Sequence, residues 1–385
     1  MRNHTENKNP LEDKILYKTS AIIQWRDMTG SPIDIIIFAP LAPILGVILF
    51  WFIQLLFIES QKYLLSKIWE RHKPLCRFTN FLGILFQTIC HALGYTVTKS
   101  GISNFYISVN YGKVAPKKEK KGIFEWLSNG FLFIGPFFIP ASLLLIALFF
   151  LMDRGFNIST AAEYTFAEGL INFGTNLHTF AEGFFSFLFN IDLLHPAHFG
   201  FLLLLIFLGM GIRPSYIGEE KKEKVDMIYD LKNIKNNILH KPLYLILLFL
   251  MAYVFFYITL LLRQNWHVAL FSIFGWLSII AIISLVITHA IILLVKTTDE
   301  IPGLWKFLPY ITIPISYILM RMVFFFYPTS FSKSVSLLAM ILSTVSVILL
   351  LLKYKTNKFK TKTNMKQLKK TAEGKNDESG GSVRE

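Results

Sequence analysis

Charge is what this sequence has least of. Asp, Glu, Lys and Arg make up 17% of its 385 residues, against roughly a quarter in soluble domains, and the shortfall argues against an ordinary globular enzyme. Acids are the scarcer sign, 25 against 39 bases, for a net charge of +14. Cysteine is scarcer still, with Cys76 and Cys90 alone. On one helix their 14-residue separation spans about 21 Å, whereas a disulfide needs Cα atoms within about 7 Å. No disulfide framework is available. The sequons at Asn3 and Asn157 add little, the second lying close to an expected membrane edge.

What the chain has in abundance is apolar surface. Hydrophobic residues are 53% of it, Phe alone accounts for 37, and the mean hydropathy is +0.49. Runs such as 131–152 and 335–352 exceed what a soluble core of this size can hide, so the solvent for most of the protein must be lipid. The first 32 residues are polar. The run that follows, 33–58, far exceeds the roughly 7 to 15 residues of a signal-peptide core and is expected to be a retained anchor.

A spanning helix needs about 20 mostly apolar residues. That rule predicts spans near 33–58, 78–97, 131–152, 198–212, 243–262, 267–295, 307–327 and 334–352. The second carries Asn80, Gln87 and His91, so it either crosses or dips in and returns. The expected fold is an all-α polytopic membrane protein. It has about eight transmembrane helices, or seven plus a re-entrant segment, and a short β ribbon at 102–115. The domain plan is a polar N-terminal segment 1–32, a transmembrane domain 33–352 and a basic disordered tail 353–385. Six prolines fall inside expected spans (Pro40, Pro43, Pro136, Pro140, Pro309 and Pro314), each removing a backbone donor and kinking its helix.

The basic residues cluster by loop, and cytoplasmic loops collect Lys and Arg. Segments 98–122, 213–242 and the tail are rich in bases, nearly all of them Lys, while 153–197 has Arg154 alone against five acids. This places the C-terminus in the cytoplasm and 153–197 outside, in an integral protein of the cell membrane. One stretch conflicts. Residues 59–77 hold Lys62, Lys67, Arg71, Lys73 and Arg77 yet would lie outside if 78–97 spans. Eight spans put both termini inside; seven plus a re-entrant segment put the N-terminus outside. The eight-span arrangement is preferred here.

Residues 102–115 alternate apolar with polar around Asn110-Tyr111-Gly112, the pattern of a hairpin beside the membrane. The outer segment repeats Thr-Phe-Ala-Glu-Gly at 165–169 and 179–183. That spacing is close to four helical turns and predicts an amphipathic helix along the outer surface.

Ionisable groups inside spans are functional candidates because they are costly there. The expected set is His91, His289 and Arg321, the last close enough to the outer end to reach the interface. A second group lies at the outer edge, where His178 and Glu182 are at i and i+4 and His195 and His198 at i and i+3. These spacings suit a metal such as zinc.

The order of elements is similar to a known family. Gln87-Thr88-Ile89-Cys90-His91-Ala92-Leu93-Gly94, then a ribbon with Gly112, then a span opening Ile134-Gly135-Pro136 with Ala141, resembles the front half of the site-2-protease family of intramembrane zinc metalloproteases. The likeness covers roughly 78–152, and Gly211-Ile212-Arg213-Pro214-Ser215 resembles distant relatives of these enzymes. In that family the helix carries His-Glu-x-x-His. Here Gln87 stands for the first ligand and Thr88 for the general base, and only His91 matches the second ligand. No Asp-Gly motif follows on a later span; Glu219 and Glu220 are the acids at comparable depth. Zinc catalysis needs three protein ligands and a base for the bound water.

The resemblance therefore implies a protease-like scaffold that has lost zinc-dependent proteolysis, with no catalytic residue and no cofactor. It would act by binding another membrane protein or as a complex subunit. Two further readings stand beside it: a transporter or channel, and a metallopeptidase with atypical ligands at His178, Glu182, His195 and His198. Nucleic acid is not an expected partner, since the basic tail has few interleaved aromatics beyond Tyr354 and Phe359. The lipid bilayer is.

Overall fold

Inside a bilayer the backbone has no water to bond, so a chain this apolar is driven into helices that satisfy it internally. The computed structural model describes residues 33–108, 112–118, 122–152, 158, 165–212, 242–262, 264 and 266–379. In chain order these form a π-helical turn Asp34–Phe38, α1 Leu41–Ile68, α2 Lys73–Val97, β1 Ile102–Ile107, β2 Gly112–Pro116 and α3 Ile123–Leu151. There follow α4 Phe166–Phe189, α5 Pro196–Gly211, α6 Pro242–Leu261, α7 Trp266–Thr298, a 3-10 turn Gly303–Phe307, α8 Leu308–Val323 and α9 Thr329–Ser379. The polar segment 1–32, the sequons, most of the loop 213–242 with Glu219 and Glu220, and the ribbon tip with Asn110 lie outside the described residues.

The protein is helical and membrane-embedded. Among the described residues four helical stretches are long and apolar enough to cross a bilayer: Ile36–Ile68, Trp266–Thr298, Gly303–Val323 and Thr329–Lys355. The spans expected at 131–152, 198–212 and 243–262 contain shorter apolar helices, Gly135–Leu151, Pro196–Gly211 and Phe249–Leu261. The 16 residues of α5 rise about 24 Å, less than the roughly 30 Å of hydrocarbon.

Three boundaries differ from expectation. Helix α1 runs ten residues past the expected stop at 58, because no Gly or Pro breaks 59–68 and Leu64, Leu65 and Ile68 keep one face buried. Pro40 sits at its N-cap, so this proline begins a helix rather than kinking one. The tail is helical to Ser379 where disorder was expected. It has no proline up to that point and continues a helix already nucleated in the apolar span, so each added residue gains a hydrogen bond without a new nucleation cost.

The third difference is α4. A capping box starts it: Thr165 Oγ1 accepts from the Glu168 amide at 3.2 Å, and the Glu168 carboxylate accepts from the Thr165 amide at 3.1 Å. One face of the helix packs into the bundle. Phe173, Leu177, Phe180 and Phe184 form a buried row within the main core, together with α1, α3, α5 and α7. Phe180 stacks on Trp276 with ring centroids 5.0 Å apart, Asn176 donates to Ser272 Oγ at 3.0 Å, and Trp276 Nε1 donates to the Asn176 carbonyl at 3.2 Å. The repeat is thus partly a cap and partly core.

Helices α1 and α7 pack side by side and run in the same direction. Gln61 and Ser284 both meet Gly209 of α5, and Leu64, Leu65 and Ile68 share a cluster with Ile292. Beyond the helix ends, His72 Nε2 lies 2.7 Å from Asp299 Oδ2 and Arg71 donates to the Asp299 carbonyl at 3.4 Å. The basic stretch after α1 and the turn after α7 therefore occupy one end of the molecule.

Candidate functional site

The expected ribbon forms as a two-stranded antiparallel sheet, with Phe105 opposite Val114, Ile107 opposite Gly112 and a bulge between Ile102 and Asn104. Ser103 Oγ donates to the Ala115 and Pro116 carbonyls at 3.1 Å, which ties the strand ends together. The ribbon rests on α2, and the contact depends on a missing side chain. A Cβ on Gly112 would stand 2.2 Å from Thr88 Oγ1 and 2.8 Å from Ile84 Cγ2, so only glycine lets β2 approach this closely.

Where helix and ribbon meet there is a cavity of about 250 Å³, lined by Ile84, Gln87, Thr88, His91, Gly112, Lys113 and Val114. The three positions singled out from the family motif, Gln87, Thr88 and His91, thus share one site with β2. Their i, i+1 and i+4 spacing turns Gln87 and His91 to the same side of α2, and Thr88 comes from the adjacent position. Thr88 is buried and its hydroxyl donates to the Ile84 carbonyl at 2.6 Å. His91 is half-buried, one turn from Tyr95, with ring centroids 6.0 Å apart.

This donor set does not fit zinc. Among the described residues the lining offers one imidazole, an amide and a hydroxyl already committed to the backbone, with no carboxylate and no second imidazole. A zinc centre draws its ligands from thiolate, imidazole and carboxylate. What the lining does offer is hydrogen-bond donors: His91, Gln87 and the Lys113 ammonium.

The outer quartet separates into two pairs. His178 and Glu182 are exposed, one turn apart on α4, while His195 precedes α5 with its ring centroid 4.8 Å from that of His198. His198 Nδ1 already accepts from the Asp192 amide at 3.1 Å. Among the described residues no three His, Cys, Asp or Glu side chains converge as a metal site requires.

Arg321, expected to reach for the interface, is held in a polar latch. It donates to Asp192 Oδ2 at 3.0 Å and to Ser332 Oγ at 2.9 Å, and Tyr317 donates to Asp192 Oδ1 at 3.1 Å. Burial works against the charge on Asp192, but the Leu194 amide, the Arg321 guanidinium, the Tyr317 hydroxyl and Lys333 together outweigh it and hold the carboxyl below its ordinary range. The latch fastens the α8–α9 hairpin to the loop between α4 and α5. His289 is half-buried on α7, its Nδ1 without a hydrogen-bond partner.

A further set was not among the expected candidates: Gln54 lies within the expected span 33–58, and Glu59, Gln61 and Lys62 lie just past it. Gln54, Glu59, Gln61 and Lys62 are all buried on α1. Glu59 and Lys62 lie 3.6 Å apart. The signal was present in their spacing: 54 and 61 are two turns apart and 59 and 62 are i and i+3, among apolar residues that continue the helix.

Compared with known proteins, the chain matches no family model, no curated protein and no solved structure.

Proposed function

We propose that this protein is a multi-pass membrane protein that works by binding a segment of another membrane protein in the groove between α2 and the β ribbon. It would do so without zinc-dependent proteolysis. The observation that carries the reading is the cavity at Gln87, Thr88 and His91, closed on one side by β2. A two-stranded ribbon leaves an unpaired edge of backbone donors and acceptors on each strand, and an extended peptide adds to such an edge through main-chain hydrogen bonds. Phe105 and Tyr106 of β1 are exposed beside it and offer aromatic surface. The likeness to site-2-proteases supports the same place, since that is where the resemblance puts a substrate.

Of the two arrangements we infer the one with the N-terminus outside and the C-terminus in the cytoplasm of a cell-membrane protein. The parallel course of α1 and α7 supports it over eight crossings. It brings the bases of 59–77 to the same end as the turn after α7, and that end is cytoplasmic by the Lys and Arg distribution.

The experiment is site-specific photo-crosslinking from positions 105 and 106 in native membranes. A discrete membrane-protein adduct from these positions, and not from an exposed position outside the groove such as 326, supports the groove; its absence removes the reading.

A further inference from the structure

We propose that the exposed face of α4 is the contact between two copies of this chain, paired about a two-fold axis that sets His178 of each copy against Glu182 of the other. This inference goes beyond the groove reading and does not rest on it.

Burial divides α4 into two sides. Phe173, Leu177, Phe180 and Phe184 turn one side into the core. On the opposite side Ile171, Gly174, His178, Glu182, Ser186 and Phe189 are all exposed. These positions follow one another at steps of three or four residues, so they form a single stripe along the helix.

Neither water nor lipid suits this stripe. Ile171 and Phe189 near its ends are 66% and 58% exposed, with Leu170 and Phe185 exposed beside them. In water, apolar surface gathered in this way marks an interaction site. His178 and Glu182 in the middle are groups that lipid disfavours. Among the described residues neither makes a hydrogen bond or an ion pair. A partner surface that is apolar at its ends and polar at its centre answers both demands.

The stripe is its own complement. Turned antiparallel about a two-fold axis at position 180, each residue meets the one equally far on the other side: His178 meets Glu182, Gly174 meets Ser186 and Ile171 meets Phe189. This is the isologous arrangement, in which residue i meets j and j meets i. A ring N–H of His178 donates to the Glu182 carboxylate of the second copy, twice by symmetry, and apolar side chains close each end. Gly174, where an added Cβ would meet nothing within 4 Å, and Ser186 are small, and small residues let helix backbones approach closely. One donor and one acid a turn apart demand a partner with the same two groups in reverse order. An antiparallel copy supplies them.

The helix is also fixed in place before it pairs. Its capping box and the Phe166 amide, which donates to Asp34 at 3.3 Å, hold the start. At the other end Ser334 donates to the Phe189 carbonyl at 3.0 Å. A surface already ordered loses less entropy on binding.

The test is disulfide trapping in native membranes with two differently tagged full-length copies, one carrying Ile171→Cys and the other Phe189→Cys. The native Cys76 and Cys90 are buried, and the wild-type chain sets the background. In the two-fold pair the new cysteines face each other. Each lies about 27 Å along the helix from its own counterpart, beyond the roughly 7 Å that a disulfide allows. We expect the mixed pair to link on mild oxidation and either variant alone to stay at background. Carried on both copies, His178→Glu sets carboxylate against carboxylate and should cut the mixed product at least about tenfold. Adding Glu182→His exchanges the two groups and should restore it, which a damaged fold would not. No mixed product, equal linking by either variant alone, a mixed product unchanged by His178→Glu, or an exchange that restores nothing would each overturn the proposal.

Discussion

Gly112 of β2 lies directly against Thr88 of α2, so close that a Cβ there would come 2.2 Å from the threonine hydroxyl oxygen. The ribbon is seated on the helix by that contact, and the cavity beside it exists because of it. Gly112→Val should therefore lift the ribbon while leaving the helical bundle intact. Limited proteolysis at Lys113 and Lys117 is the check: cleavage should rise several-fold in the variant, with an unchanged helical circular dichroism spectrum.

Gly209 makes the corresponding approach between helices. A Cβ there would stand 2.2 Å from the Ser284 carbonyl oxygen and 2.3 Å from Thr288 Oγ1, and a backbone atom cannot step aside as a side chain can. Gly209→Ala should destabilise the bundle by about 1 to 3 kcal/mol through overpacking, read as a lower unfolding midpoint in detergent. Ala at Gly174, whose Cβ would meet nothing within 4 Å, is the control and should be nearly neutral.

The Asp192–Arg321 latch carries a pH signature. The folded-state carboxyl is held below its ordinary range, so its contribution to stability is fully present above the unfolded value, near pH 4, and is lost as pH falls through the lower folded value. Asp192→Asn should cost about 1.5 to 3 kcal/mol near neutral pH, the worth of hydrogen bonds to a charged group, and should flatten the acid limb below about pH 4. Thermal midpoints of both proteins across that range decide it.

Metal content gives a direct check on the proposed absence of zinc chemistry. The cavity donors do not suit zinc, and the outer histidines fall into separate pairs. Purified protein is expected to hold well under one zinc per chain, unchanged in His195→Ala and His198→Ala. Stoichiometric zinc lost in those variants would mean that the outer histidines are ligands after all.

Much of this was legible in the residues. The ribbon was visible in the alternation around Gly112, and the apolar runs were visible as helices. The gathering of Gln87, Thr88 and His91 followed from helical spacing plus the order of elements. Other features depend on packing that composition does not reveal. Arg321 was read as free to reach the interface because its partner, Asp192, is 129 residues away. The packing partner of α4 was not legible because its Phe row has an equal claim on lipid and on core; the stacking of Phe180 on Trp276 puts that row in the core. The burial of Glu59 and Lys62 was missed because charge was taken as the end of a span, whereas α1 continues past them to Ile68.

The central claim is that the α2–ribbon groove holds a segment of another membrane protein, and photo-crosslinking from positions 105 and 106 in native membranes tests it most directly. The account predicts a discrete adduct from both positions, lost when Gly112→Val displaces the ribbon and absent from position 326, whose native Phe326 is exposed on the α8–α9 turn. No adduct from 105 and 106, or one that persists in Gly112→Val and appears equally from 326, would contradict it.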